Sequence, residues 1–166
     1  MQVIMTKTDK SIHNICIAAI KRATIKPYDF KWTRFYESNA DFPYTSLISD
    51  LAESELVICS TIIDEDNYSI LTTKRLLTKQ NGELSVENIK GAKDKLYGDF
   101  KGYKDKGFTF GKVLLQSGNE MNYFIETGNA SMVMIHGVRT LLWATELTGD
   151  QMTKATRIWD KQNDSK

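Results

Sequence analysis

Four side chains in this sequence have the chemistry of nucleophiles or soft metal ligands: its only cysteines, Cys16 and Cys59, and its only histidines, His13 and His136. A Cys–His nucleophile pair needs an exposed, activated thiolate. Both cysteines instead stand in apolar runs, NICIAAI and LVICSTI, which predicts reduced, buried thiols acting as small hydrophobes. His13 and Cys16 are three residues apart on one predicted helix. They offer two ligands where a closed zinc site takes about four. His136 sits inside MVMIHGVR, where a buried or half-buried structural histidine is expected. No catalytic residue, metal or cofactor is expected from this set.

The charged clusters are more suggestive. Asp64, Glu65 and Asp66 form an acidic tip between two apolar runs. No EF-hand spacing follows them, which leaves a solvated tip or a charge-complementary docking site. Gly107-Phe108-Thr109-Phe110-Gly111-Lys112 lacks both the spacer and the hydroxyl residue of a phosphate loop. Between Lys90 and Lys112, seven lysines face three aspartates, interleaved with Tyr97, Phe100 and Tyr103. Lysines among aromatics suit lipid headgroups or stacked bases; a solvated loop whose aromatics pack inward is the other reading. Tyr28–Tyr44 carries seven aromatics among charged residues. Trp32, Arg34, Phe35, Tyr36, Phe42 and Tyr44 could form an interface patch or the packing between the first helix and the sheet.

These residues belong to a chain of 166 amino acids with a formal charge of +1 and an ordinary globular composition. That length is about one domain and buries a core without staples. So small a net charge argues against general affinity for nucleic acid or an anionic membrane. No apolar run approaches the ~20 residues needed to span a bilayer, and no signal-like apolar region follows Met1–Ile4 because Lys7, Asp9 and Lys10 intervene. A cytoplasmic protein is expected.

The elements that must position the clusters follow from periodicity. Ile12, Ile15, Cys16, Ala19, Ile20 and Ala23 recur at helical spacing, predicting a helix over 10–23 capped by Asp9 or Ser11 and stopped before Pro27. Phe30, Trp32 and Arg34 suggest a strand face, and Thr45–Glu53 a short helix. Glu55–Ile63 is a β-branched strand. Tyr68–Thr72 and Arg75–Gln80 form a hairpin around Thr73-Lys74, and Asn81-Gly82 turns the chain into Glu83–Ile89. The segment 91–107 reads as a loop with weak strand content, followed by a hairpin of Phe108–Gln116 with Glu120–Thr127. Asn129 is placed to cap a helix over Ala130–Leu147 that Gly149 stops. An amphipathic piece, Asp150–Trp159, precedes a frayed tail.

Within this order, YSILTTKRLLTKQNGELSVENIKGAK resembles bacterial pleckstrin-homology-like modules. Their strand ending in a T-T/N-x-R turn and the following R-L-I/L match Leu71-Thr72-Thr73-Lys74-Arg75-Leu76-Leu77, with Val86 and Ile89 beyond. The resemblance covers about 55–147. It implies an α+β fold, namely a small antiparallel β-barrel or sandwich closed by a C-terminal helix, and a binding role without catalysis; the ligand is left open. The helix and aromatic segment of 1–54 are expected to pack on this 55–149 domain, with 150–166 as a short terminal piece. In general character the chain also resembles bacterial immunity proteins, which bind and block a partner toxin.

The function expected is therefore a non-catalytic protein-binding module, with another protein, such as a cognate toxin domain, as partner. The alternative is a lipid or membrane-surface module using the Lys90–Lys112 loop. The candidate partner-binding residues are Asp64, Glu65, Asp66, Lys101, Lys104, Lys106, Tyr97, Tyr103, Trp32 and Tyr36. Nucleic acid is not an expected partner.

Overall fold

The first helix, α1 (Asp9–Ala23), forms where the apolar stripe predicts it, and buries Ile12, Ile15, Cys16 and Ile20. The computed structural model describes residues 8–48 and 50–146; the predicted Gly149 stop, the Asp150–Trp159 piece and the tail lie outside the described residues. Its cap is Thr8, whose hydroxyl accepts the Ser11 N–H at 3.0 Å; Asp9 and Ser11 occupy the first turn instead. At the other end Thr24 donates both its N–H and its hydroxyl to the Ile20 carbonyl.

The strand after it, β1, is only Thr33–Phe35, and its inward residue is Thr33 rather than the predicted Phe30, Trp32 and Arg34 face. The reason is its neighbour: the Thr33 hydroxyl meets the Thr61 hydroxyl and the Glu126 carboxylate, so a polar wall replaces the apolar one expected. Residues 45–47 form only a turn, not the predicted helix. Even so, Ile48 is buried there, with Leu47 and Leu51 packed beside it.

Four strands then run as a meander: β2 (Val57–Asp64), β3 (Asn67–Thr72), β4 (Leu76–Gln80) and β5 (Glu83–Glu87). With β1 they make an antiparallel five-stranded sheet in the order β1-β2-β3-β4-β5. The β3–β4 turn does without glycine because the Thr72 hydroxyl accepts the N–H groups of Lys74 and Arg75, each at 3.1 Å. The β4–β5 turn uses positive φ at Asn81 (51°) and Gly82 (82°), the combination a two-residue hairpin prefers. Behind the first turn, the carboxylate of buried Glu55 takes the Thr72 hydroxyl and the Arg75 guanidinium, which also reaches Asp50.

A second, three-stranded sheet contains β6 (Lys93–Leu96), β7 (Phe108–Leu114) and β8 (Glu120–Glu126). The chain then enters α2 (Ser131–Glu146) through a tight turn at Gly128–Ala130. Asn129 lies within that turn, so it is not the cap residue predicted. α1 and α2 pack on each other and, with Ile58, Cys59, Leu71, Leu76, Val113, Tyr123 and Ile125 of the sheets, form the larger core. A smaller core on the opposite face of the five-stranded sheet joins Tyr36, Phe42, Ile48, Val57, Tyr68, Ile70 and Leu77. The fold is α+β, as expected, with two antiparallel sheets and a C-terminal helix. It is not a closed barrel: the sheets meet by crossing.

A row of hydroxyls lies where β8 crosses the larger sheet. Thr33 pairs with Thr61, Thr61 with Ser69, Ser69 with Thr78 and Thr78 with Ser85, so every strand of the larger sheet contributes one residue to a single line. The first four are buried. Thr33 bonds Thr61 at 2.9 Å and Ser69 bonds Thr78 at 2.8 Å. β8 lies against this row and donates the Phe124 N–H to Ser69 Oγ at 2.8 Å. At its end Glu126 accepts the Lys31 and Trp32 N–H groups and the Thr33 hydroxyl. Buried backbone donors must find partners, and here the Phe124 N–H of β8 finds one in a side chain of the other sheet.

Two substitutions test this junction by urea denaturation. Ser69→Ala, which orphans a buried N–H, is expected to cost about 1–3 kcal/mol, and Glu126→Ala, which removes an acceptor of three hydrogen bonds, about 2–4 kcal/mol. A loss below about 0.5 kcal/mol in both would remove the row from any role in holding the sheets together.

Candidate functional site

The predicted site residues separate into three groups. Tyr36 is not available to a partner: it is 1% exposed, donates or accepts at Ser60 Oγ (2.7 Å) and meets Phe42 edge-on. Its place in a candidate surface is corrected to the smaller core, because β2 brings a hydroxyl partner under the ring. Trp32 is half-buried, edge-on to Phe108 and packed on Gly107, where a Cβ would stand 2.8 Å from the indole. It packs between the sheets more than it faces outward.

The lysine loop is real but thinner than its composition. Lys95 and Lys112 both pair with Glu120, and Tyr97 turns its hydroxyl to Asp94 Oδ2 at 3.0 Å. The Asp99 carboxylate gathers the N–H groups of Tyr103 and Lys104. Lys101, Lys104 and Lys106 remain exposed, together with Tyr103, which is 82% exposed.

The acidic tip is better organised. Asp64 Oδ1 accepts the Asp66 N–H at 2.8 Å and the Asn67 side-chain amide at 3.0 Å, so Asp64 shapes the turn and directs Glu65 and Asp66 outward. The Asp66 carbonyl in turn accepts the Gly82 N–H, and Asn67 Oδ1 accepts the Asn81 N–H. These bonds fasten the tip to the start of β5. Only Lys79, 3.8 Å from Asp66, offsets its charge among the described ion pairs.

β5 itself was not singled out by the sequence, yet it is the most open element. All five of its residues are exposed, including Leu84 (52%) and Val86 (40%). It is the terminal strand of its sheet. Glu83, Ser85 and Glu87 line one wall of a polar groove of about 860 Å³, with Asn119, Glu120 and Asn122 of the β7–β8 hairpin opposite. Ser85 is the last rung of the hydroxyl row, where the row emerges from under β8. Alternation in ELSVE marks a strand, but that its outer edge stays unpaired depends on strand order, which no local pattern encodes.

Cys16 and Cys59 are free, fully buried thiols, pushed far up from the usual thiol range by burial. His13 Nε2 lies 2.8 Å from the Tyr36 carbonyl and 3.2 Å from that of Val57. Two carbonyls can only accept, so Nε2 carries the proton and ties α1 to β2. His136 is half-buried beside Arg139 and Trp143 in a groove of about 490 Å³ between the helices. Burial, and then Arg139, hold it below the ordinary imidazole value. Asp94 is raised by burial, and Tyr97 is pushed up to about 12 by burial and the neighbouring Asp94. No cluster of His, Cys, Asp and Glu among the described residues could hold a metal ion. No helix among them is long and apolar enough to cross a membrane.

No family model, curated protein or solved structure matches this chain.

The histidines set an acid limit. Burial lowers the folded-state pKa of both below the ordinary value of about 6.5, so between the folded and unfolded values the unfolded chain binds more protons and stability rises with pH. Stability measured by urea denaturation should fall as pH drops below about 6.5, and His13→Gln should flatten part of that slope. An unchanged slope in the variant would show that His13 takes up protons equally in the folded and unfolded chains.

Proposed function

We propose that this chain is a non-catalytic protein-binding module that captures a basic region of another protein on the acidic edge formed by the Asp64–Asp66 tip and β5. The single observation that carries the reading is the joining of Asp66 to Gly82. It makes the tip and the open strand one surface bearing Asp64, Glu65, Asp66, Glu83 and Glu87. Among the described residues only Lys79 forms an ion pair with any of these. Such a field speeds association with a positive partner and rejects a negative one. Two sheets closed by a C-terminal helix support a pleckstrin-homology-like reading of the fold, used for protein recognition. An immunity role, in which the edge covers the working face of a toxin, fits that chemistry, because enzymes that act on nucleic acid are basic where they bind it.

A membrane-surface role is the second reading, and one observation favours it. Tyr103 is 82% exposed with Lys101 Nζ 6.0 Å from its ring, an aromatic and a cation together on an open loop.

Affinity capture from source-cell lysate separates the two. Charge reversal at Glu65, Asp66 and Glu83 should abolish retention of a basic protein by the wild-type chain, and added salt should weaken it. Reversal at Lys101, Lys104 and Lys106 should leave capture intact. Loss of capture in the lysine variant, with binding to anionic vesicles by the wild type, would replace this reading with the membrane one.

A further inference from the structure

We infer that β5 binds its partner by strand addition, taking an extended segment in which lysine or arginine alternates with apolar residues as the next strand of the five-stranded sheet. The inference rests on the acidic-edge reading and specifies how that edge recognises its target.

The backbone supplies the first argument. β4 and β5 pair Gln80 with Glu83, Lys79 with Leu84, Thr78 with Ser85, Leu77 with Val86 and Leu76 with Glu87. A two-residue hairpin closes on a hydrogen-bonded pair, and bonded and non-bonded pairs then alternate. Glu83, Ser85 and Glu87 therefore spend their N–H and C=O groups on β4. Leu84 and Val86 turn theirs outward, on the side where the sheet has no further strand. The edge thus offers two donors and two acceptors at the spacing of an incoming strand.

The side chains define the occupant. On one face lie the exposed Leu84 and Val86, Val86 as the cross-strand neighbour of buried Leu77 and Leu84 as that of Lys79. On the other, Glu83 and Glu87 line the polar groove and form no ion pair among the described residues. An added strand of alternating basic and apolar residues meets both faces at once: its cations lie beside Glu83 and Glu87, its apolar residues beside Leu84 and Val86. A second copy of β5 is disfavoured by the same charges, because Glu would face Glu.

A fluorescent synthetic peptide alternating lysine and valine tests this by anisotropy against the full chain, beside a glutamate–valine peptide and a lysine–valine peptide N-methylated on alternate backbone amides. The lysine–valine peptide should bind, the acidic one should not, and N-methylation should weaken binding about tenfold or more by removing backbone donors. Val86→Pro removes an outward N–H while sparing the β4 ladder, and should weaken binding similarly with its melting temperature checked alongside. Equal binding of the methylated and unmethylated peptides would overturn strand addition while leaving acidic capture standing. No binding of the basic peptide, combined with partner capture that survives charge reversal at Glu65, Asp66 and Glu83, would overturn both.

Discussion

A strand that crosses another sheet presents a bare backbone edge to the protein interior, and that edge has to be satisfied. In this fold Ser69, at the centre of the hydroxyl row Thr33, Thr61, Ser69, Thr78 and Ser85, meets the requirement at Phe124. Ser69 receives the Phe124 N–H, and Glu126 closes the far end on β1. The helices fill the space beneath this junction, with Cys59 and Leu71 on the same face of the sheet contributing to their core. The aromatic segment covers the opposite face.

The same junction explains where the molecule stays open. β8 covers the row across β1 to β4 and leaves Ser85 exposed, so the sheets splay at β5 and a polar groove opens between them. A sheet edge left bare is a hazard unless charge protects it. Glu83 and Glu87 do so here, and the acidic tip bonded to the adjoining turn adds to their field. On the strand-addition proposal, the same charges that disfavour pairing of β5 with a second copy favour a basic strand. Across the groove Glu120 pairs with Lys95 and with Lys112, which itself lines the groove, while Lys101, Lys104 and Lys106 stand exposed on the loop after β6.

Local signals were legible in the chain. The stripe of α1, the β-branched run of β2, the Asn81-Gly82 turn and the hairpin of β7 and β8 each follow from neighbours within a few residues. What escaped depends on distant partners. Thr33 outcompeted Trp32 for the interior because Thr61 and Glu126, far away in sequence, offered hydrogen bonds. Tyr36 read as an interface aromatic until β2 placed Ser60 beneath it. The spacing of Leu47, Ile48 and Leu51 predicts a helix, yet these residues serve the smaller core from a turn and the non-helical chain beside it. Of the candidate surface, the acidic tip and the lysines could be named from charge alone, whereas the open strand beside the tip could not.

Residue-resolved amide hydrogen exchange on the free protein tests most directly the claim that one junction both closes the fold and leaves β5 open. The Phe124 N–H should be among the slowest to exchange, and along β5 the Ser85 amide should be protected while those of Leu84 and Val86 exchange fast. Slow exchange at Leu84 and Val86, or fast exchange at Phe124, would contradict it.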